Sequence, residues 1–268
     1  MLLHKIFSKK NRALLRELVV TDFKLRYQGS VLGYTWSLLR PLLLFLILYI
    51  VFVKFLRLGE GVPHFPVYLL LGIVLWNFFS EMTSQSLSSI VIRGDLIRKI
   101  RIPRWIIVLS SSVSALINLV LNLLVVSVFM IINHVDISGS AVWFPFILAQ
   151  IYVFSIGVSL LLAAAFVKYR DVSHIWEVIL QALFYLTPIL YPITLITNEL
   201  LQKLLLISPM AQAIQDARSV LVTPVTKTVA EAYATSAARL LPLAITVLVL
   251  LAGVWYFKKE SKYFAENI

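Results

Sequence analysis

Cysteine is absent from this 268-residue sequence, which excludes disulfide bonds, thiolate metal ligands and cysteine nucleophiles. Charged residues are scarce: Asp, Glu, Lys and Arg make up 14% of the chain, whereas a soluble domain has about 25%. Hydrophobic residues make up 60%, and the mean hydropathy is +0.91. These proportions exclude an ordinary soluble domain and predict an all-α integral membrane protein that crosses the bilayer several times.

Acids and histidines are rare inside the apolar segments, where an intramembrane enzyme or a proton-coupled transporter would need them. The four histidines lie in the N-terminal segment or near the ends of apolar segments. Glu81 is the acid that lies well inside an apolar segment. The sequence also lacks a Gly-x-x-x-x-Gly-Lys-Ser/Thr motif. We therefore expect no catalytic residue, no metal site and no nucleotide-binding loop in this chain, so that energy for uphill transport would come from another polypeptide.

Six apolar segments are long enough to cross a bilayer, which takes about 20 residues. They cover residues 34–56, 66–88, 105–132, 143–167, 173–190 and 237–257. Basic residues are unevenly distributed between the connecting segments: 18 Lys and Arg fall on the side that holds both termini, and six fall on the opposite side. Because cytoplasmic loops carry the excess of Lys and Arg, we predict a multi-pass protein of the bacterial inner membrane with both termini in the cytoplasm.

The chain divides into an N-terminal segment, residues 1–30, and a six-span domain, residues 31–268, whose last part, 258–268, is a cytoplasmic tail. Apolar residues recur every three or four positions between residues 10 and 28. This spacing predicts an amphipathic helix that lies in the cytoplasmic membrane interface. A soluble cytoplasmic helix is the alternative.

The segment between the fifth and sixth spans, residues 190–236, is too long and too apolar for an ordinary exposed loop. Prolines divide it into two short apolar stretches, 193–207 and 210–222, neither of which is long enough to cross the membrane. We predict that they form a pair of re-entrant or interfacial helices on the outer side, with protein contacts that satisfy their backbone ends.

A short segment after the second span, residues 93–102, alternates isoleucine and leucine with basic residues. The pattern predicts a small amphipathic helix on the cytoplasmic side. Such a helix suits docking into a groove of a partner protein or binding to anionic lipid headgroups. A basic loop that only sets the topology is the alternative.

Several short motifs occur in an order that resembles one family. They are Arg26–Trp36 followed by Arg40-Pro41, Lys168–Val172, Thr187–Pro192, Ser208–Met210 and Tyr263–Glu266. Together with six spans and cytoplasmic termini, they resemble the ABC exporter permeases for lipid-linked polysaccharides, a group that exports O-antigens, capsules and teichoic acids. The resemblance extends over nearly the whole chain, although Ser208 stands where the family more often has Asn.

The resemblance implies a half-transporter that needs partners. Two copies of this chain would form the pore as a homodimer, and two copies of a separate ATPase subunit would bind ATP and Mg²⁺, so that this chain itself holds no cofactor. The cargo would be a glycan on undecaprenyl diphosphate, and membrane lipid, but no nucleic acid, would be a further partner. The N-terminal amphipathic helix and the segment 93–102 would contact the ATPase. The coupling residues expected in that segment are Arg93, Asp95, Leu96, Ile97, Lys99 and Ile100.

A sugar polymer stacks its C–H faces on aromatic rings, so aromatic side chains are candidates for the wall of the pore. The candidates are Tyr34, Trp36, Phe45, Tyr49, Phe52, Phe184 and Tyr185. The alternative is that these aromatics face lipid or form an interfacial belt. On the third span, Ser111, Ser114, Asn118 and Asn122 share a face, which favours hydrogen bonding between helices.

Arg40 lies within the first apolar segment, where a charge is costly unless it faces water or an anion. One interpretation is that it binds the diphosphate headgroup of the cargo, together with Arg26, Arg98 or Arg101. Snorkelling of the side chain to the interface is the other. Two rival functions stay open at this point: a permease for a different cargo, such as a drug, and an intramembrane enzyme that acts on polyprenyl-linked sugars.

Overall fold

The computed structural model of the chain describes residues 9–27, 29–30, 32–57, 59–99 and 102–267, apart from the side chains of residues 25–27, 34, 265 and 267. Within these residues it contains helices and no β-strand. The helices are α1 (Lys9–Tyr27), α2 (Trp36–Leu48), α3 (Phe65–Ile92), α4 (Gly94–Lys99), α5 (Trp105–Ile132), α6 (Phe144–Lys168), α7 (Val172–Leu186), α8 (Glu199–Ile207), α9 (Pro209–Leu221), α10 (Val229–Ala232), α11 (Leu240–Glu260) and α12 (Phe264–Asn267).

Five of the described helical stretches are long and apolar enough to cross a membrane. Two of them are α3 and α5. A π-helical segment, Tyr49–Phe55, continues α2 into a first span of Trp36–Phe55, and 3₁₀ turns extend α6 to Gly139–Lys168 and α11 to Ser236–Tyr263. The prediction of an all-helical chain with several membrane-spanning segments is therefore confirmed.

The helix at the position of the predicted fifth span is shorter than the sequence suggests. α7 has 15 residues, or about 22 Å of helix, and it ends at Leu186 rather than continuing to residue 190. The cause is Pro188, because the residue before a proline is disfavoured in the helical region. Thr187 is accordingly extended, with φ −73° and ψ 133°. The helix therefore ends four residues before the predicted end of this span.

Helix α3 forms the centre of the molecule. It is buried along most of its length, packed against α2, α5, α6, α7 and α9. Its first half, residues 65–76, is almost entirely apolar, as suits a helix segment that other protein segments surround. By contrast, α2 buries only Phe45 among its described side chains, so most of its apolar surface faces outward.

The tightest helix crossing joins α6 and α11 at two glycines. A Cβ atom added to Gly157 would lie 2.8 Å from Cα of Leu250, and one added to Gly253 would overlap the carbonyl oxygen of Gly157. Small residues let two helix backbones come this close. Van der Waals packing at such a crossing stabilises the contact even where the alternative neighbour is an equally apolar lipid tail.

Helices α8, α9 and α10 occupy the segment between α7 and α11. In the first predicted stretch, 193–207, a 3₁₀ turn at Ile193–Leu195 precedes α8. The α-helix begins at Glu199, where the carboxamide oxygen of Asn198 caps it by accepting the Leu200 N–H at 2.9 Å. The second, 210–222, corresponds to α9, in which every residue from Pro209 to Arg218 is buried. The location of this pair in the membrane stays a prediction.

Candidate functional site

A cavity of about 560 Å³ lies between α2, α3 and α5. About half of its wall is polar, although it is built from three apolar helices. The polar and amphipathic residues that line it are Trp36, Ser37, Arg40, Asn77, Ser80, Glu81, Ser84, Gln85, Asn118 and Asn122. Polar side chains at this depth are costly, and they usually mark a substrate path or a binding site.

Glu81 is the acidic residue in this wall. It lies 11 residues before the end of α3 at Ile92, a distance of about 16 Å along the helix axis. Its Oε1 atom accepts hydrogen bonds from Gln85 Nε2 at 2.7 Å and from Asn118 Nδ2 at 2.6 Å. Two amide donors thus compensate part of the cost of placing a carboxylate far from the helix ends.

Asn122 links α5 to α2 at a position where a proline changes the backbone hydrogen bonding. Pro41 has no N–H, so it cannot donate to the carbonyl of Ser37 four residues earlier. The Asn122 carboxamide lies 3.3 Å from that carbonyl oxygen and donates to it. The interpretation that Asn122 makes a hydrogen bond between helices is confirmed for this contact.

Trp36 and Arg40 stand at the mouth of the cavity, one turn apart on α2. Both side chains are exposed, and Trp36 retains 43% of its accessible surface. The sequence assigns them separately, Trp36 to a pore wall and Arg40 to a lipid headgroup. The structure brings both into the lining of one cavity, which Asn118 and Glu81 also line.

The other predicted pore aromatics are distributed differently. Phe45 is buried against Phe129, with ring centroids 5.4 Å apart, and Tyr49 and Phe52 are half-buried against the same core. Phe184 is half-buried beside Trp76, at 6.0 Å, and Tyr185 is 59% exposed. The side chain of Tyr34 lies outside the described residues.

Arg98, the remaining headgroup candidate whose side chain the structure describes, does not join Arg40. Arg98 is exposed on α4 and is not part of the cavity wall. The side chain of Arg26 and the whole of Arg101 lie outside the described residues, as does Ile100 of the predicted coupling set.

We call the end of the molecule that holds α4 the basal end, and the opposite end, which holds α9, the distal end. An apolar cluster at the basal end contains Ile90, Ile107, Val167, Phe257 and Phe264. Helix α4 covers this cluster: Ile97 packs against it and Leu96 is half-buried, whereas Asp95, Arg98 and Lys99 are exposed. The helix therefore presents a charged face outward and an apolar side inward.

Arg93 precedes α4 and points into the protein. Its Nη2 atom forms an ion pair with Asp22 of α1, and its Nη1 atom donates to Ser110 Oγ at 2.7 Å. The Arg93 side chain is only 14% exposed and that of Asp22 is 24% exposed. Arg93 thus connects α1, α4 and α5, the elements that the resemblance assigns to ATPase contact and to the base of the third span.

At the distal end, Arg218 of α9 is completely buried. Its guanidinium donates to the carbonyl oxygens of Tyr68 at 2.9 Å, Pro188 at 2.6 Å and Ile189 at 2.6 Å, and it lies 3.7 Å from the centre of the Tyr68 ring. Burial lowers the pKa of Arg218, and Tyr68 raises it in part. This one side chain joins α9 to the start of α3 and to the turn after α7.

Asp216 lies two residues before Arg218 on α9 and is also buried. Burial raises the pKa of its carboxyl group, and a hydrogen bond donated by the carboxamide of Gln212 lowers it in part. Its Oδ1 atom has no hydrogen-bond partner among the described residues. The distal end therefore holds a buried polar network that apolar periodicity alone does not reveal.

The profile of the ABC-2 type transporter family matches residues 13–222. The chain belongs to this family. It is 32% identical, over 259 residues that cover 96% of each chain, to the O-antigen export system permease protein RfbA of Myxococcus xanthus. Two proteins of the same name from Klebsiella pneumoniae are 31% and 29% identical; the matches cover 72% and 66% of this chain, and 76% and 68% of theirs. The resemblance to polysaccharide-exporting ABC permeases is confirmed.

Sequence reasoning did not assign Asn77, Glu81 and Gln85 to a site. A signal was present, because these residues follow one another at intervals of four on α3 and therefore share a face. Asn118 and Asn122 have the same spacing on α5. Two polar stripes on neighbouring apolar spans predict a shared polar contact.

Proposed function

We propose that this chain is the transmembrane subunit of an ATP-driven ABC exporter. Its cargo is a polysaccharide linked to undecaprenyl diphosphate, such as O-antigen, which moves from the cytoplasm to the outer side of the bacterial inner membrane. The observation that carries this proposal is the match to an O-antigen export permease over 96% of both chains. Capsule, teichoic acid and drug export are the alternative cargoes.

The assembly we propose is a homodimer bound to two copies of a separate ATPase, which supplies the site for ATP and Mg²⁺. The outward charged face of α4 supports an ATPase contact at the basal end. The exposed apolar surface of α2, where Leu46 and Ile47 are 51% and 59% exposed, supports contact with lipid or a second copy.

The topology we propose has six spans, with α7 and the turn after it completing the fifth crossing and α8 and α9 on the outer side. The arrangement of the terminal helices supports this count. Helix α1 packs on α5 and is joined to Arg93, and α12 packs on α4. Helices α1 and α12 therefore both lie at the basal end, which agrees with an even number of crossings.

The test is co-expression of this chain with the ATPase subunit of the same cells, followed by purification and transport assays in vesicles. We expect a complex that moves the lipid-linked glycan only when ATP is present. Reversing the charges of Asp95, Arg98 and Lys99 should abolish ATPase binding, because these side chains are exposed on α4. Arg57→Glu is the matched control, since Arg57 is 75% exposed and lies far from α4 along the chain.

Two outcomes would contradict the proposal. Turnover of a lipid-linked sugar by the purified chain alone would favour the intramembrane enzyme. Retention of full ATPase binding after reversal of all three α4 charges would remove the basal contact from the proposal.

A further inference from the structure

We propose that the polar cavity is a binding site for sugar hydroxyl groups, occupied by the sugar that adjoins the diphosphate of the lipid-linked cargo. This inference rests on the proposed function and adds the ligand chemistry of one defined site. Its evidence is the hydrogen-bonding state of Asn118, the chemistry of the polar groups in the wall, and the pair of exposed side chains, Trp36 and Arg40, that line the same cavity.

Asn118 provides the first observation. It is 4% exposed, and its Nδ2 atom donates to Glu81 at 2.6 Å. That contact fixes which end of the carboxamide is the nitrogen, because a carboxylate can only accept. The Oδ1 atom is left buried without a hydrogen-bond partner among the described residues. Unpaired buried acceptors are rare in folded proteins, so this atom points to a ligand that donates.

The chemistry of the wall selects the class of ligand. Asn118 Oδ1 and the Glu81 carboxylate are acceptors, and a phosphate group would bring further acceptors and negative charge to them. A hydroxyl group both donates and accepts, so it can bond to Asn118 and also to amides such as Asn77 and Gln85. The volume of about 560 Å³ falls within the range of small-ligand sites. Sugar hydroxyls therefore fit the interior better than phosphate does.

Two side chains at the mouth of the cavity can bind the other parts of the cargo. Trp36 offers an exposed aromatic face on which the C–H face of a sugar stacks, and Arg40, one turn along α2, offers a cation for the diphosphate. In this arrangement the phosphates stay at the rim and the adjoining sugar enters between Trp36 and Asn118. A lipid without its sugar would keep the contact to Arg40 and lose those to Asn118 and Trp36.

The experiment compares two probes on the complex of this chain and its ATPase in nanodiscs. One probe is undecaprenyl diphosphate, and the other is the lipid-linked glycan extracted from the cells that make the protein. We expect the glycan-linked lipid to bind about tenfold more tightly, since a site built to bond hydroxyls discriminates against a ligand that lacks them. Asn118→Leu should remove this preference, and Arg40→Ala should weaken both probes equally.

Two further variants distinguish a loss of the sugar site from a general effect of mutation on folding. Trp36→Ala changes an exposed side chain and should also reduce the sugar preference. Asn133→Leu is the matched control on the same helix, because Asn133 bonds the Phe129 carbonyl at 2.8 Å and does not line the cavity. Its sugar preference should equal that of the wild type.

The outcomes separate this inference from the proposed function. If Asn118→Leu and Trp36→Ala both keep the wild-type preference, or if Asn118→Leu weakens both probes equally, the sugar site is refuted while export stands. Equal binding of both probes by the wild type refutes it as well. Absence of binding to either lipid, together with absence of ATP-dependent export, would refute the proposed function itself.

Discussion

Replacing Arg218 by Met tests whether one buried cation holds the distal end together. Methionine keeps an unbranched stem but cannot donate to the carbonyls of Tyr68, Pro188 and Ile189. Three hydrogen bonds from a charged group contribute about 1.5–3 kcal/mol each, and a desolvated cation–π contact adds about 2 kcal/mol. The cost of burying the charge, several kcal/mol per ion, offsets part of this. We expect a net loss of roughly 3 kcal/mol in the free energy of unfolding.

Gly72→Ala should produce the same effect from the other side of the contact. A Cβ atom at residue 72 would lie 3.0 Å from Cζ of Arg218 and nearer still to Nη2. The guanidinium would have to move away from its acceptors, and overpacking of this kind costs about 1–3 kcal/mol. Agreement between the two variants would assign the loss to the position of the guanidinium rather than to the change of residue type.

The assay is the apparent melting temperature of the purified protein in detergent. A loss of about 3 kcal/mol corresponds to roughly 6–12 °C for a chain of this size class. Arg57→Met is the control, because Arg57 is 75% exposed and its neighbour Glu60 is 3.9 Å away; such surface pairs contribute about 0–1 kcal/mol. If Arg218→Met melts at the same temperature as Arg57→Met, the buried guanidinium does not stabilise the distal end.

Three further predictions concern other parts of the molecule. Single charge reversals at Asp22 or Arg93 should reduce ATP-driven transport, and the double swap should restore part of it; additive losses would show that the pair does not couple α1 to α4. Gly253→Ala should lower the melting temperature through a loss of about 1–3 kcal/mol, and an unchanged melting curve would show that α6 and α11 separate without cost. Burial raises the pKa of Asp216 above its ordinary 3.8, so the folded state binds this proton more tightly than the unfolded state. The wild type should therefore lose stability relative to Asp216→Asn as the pH rises above about 4 through the folded pKa, and parallel pH profiles would contradict this.

Apolar periodicity and length were sufficient to predict a helical fold with several helices long and apolar enough to cross a membrane. The early end of α7 was predictable in principle, because Thr187-Pro188 carries the signal in the sequence. The start of α8 at Glu199 depends on the cap formed by Asn198, which is also a local feature. Both differences in helix bounds therefore come from local signals, a proline and a capping residue, that lie next to the bound itself.

The cavity is different, because it depends on which faces of three helices meet. The spacing of Asn118 and Asn122 predicts contact with another helix but not with which one. The register of α5 against α3 brings Asn118 to Glu81, and on α2 the carbonyl oxygen of Ser37, to which Pro41 cannot donate, accepts from Asn122. The burial of Arg218 is equally remote from the local sequence, since its partners are 29, 30 and 150 residues away.

Helix α3 connects all three regions, and this constrains how an ATPase at the basal end would act on the cargo. Tyr68 and Gly72 contact Arg218 at one end, Glu81 lies in the cavity wall, and Arg93 follows the other end. Gly72 and Glu81 are separated by about 14 Å along the axis, and Glu81 and Ile92 by about 16 Å. A buried helix, packed on most faces, transmits displacement along its axis because interiors are densely packed and resist compression. Movement of α4 would therefore reach the cavity and the Arg218 contact together, so the sugar site and the distal end should change conformation in one step rather than in sequence.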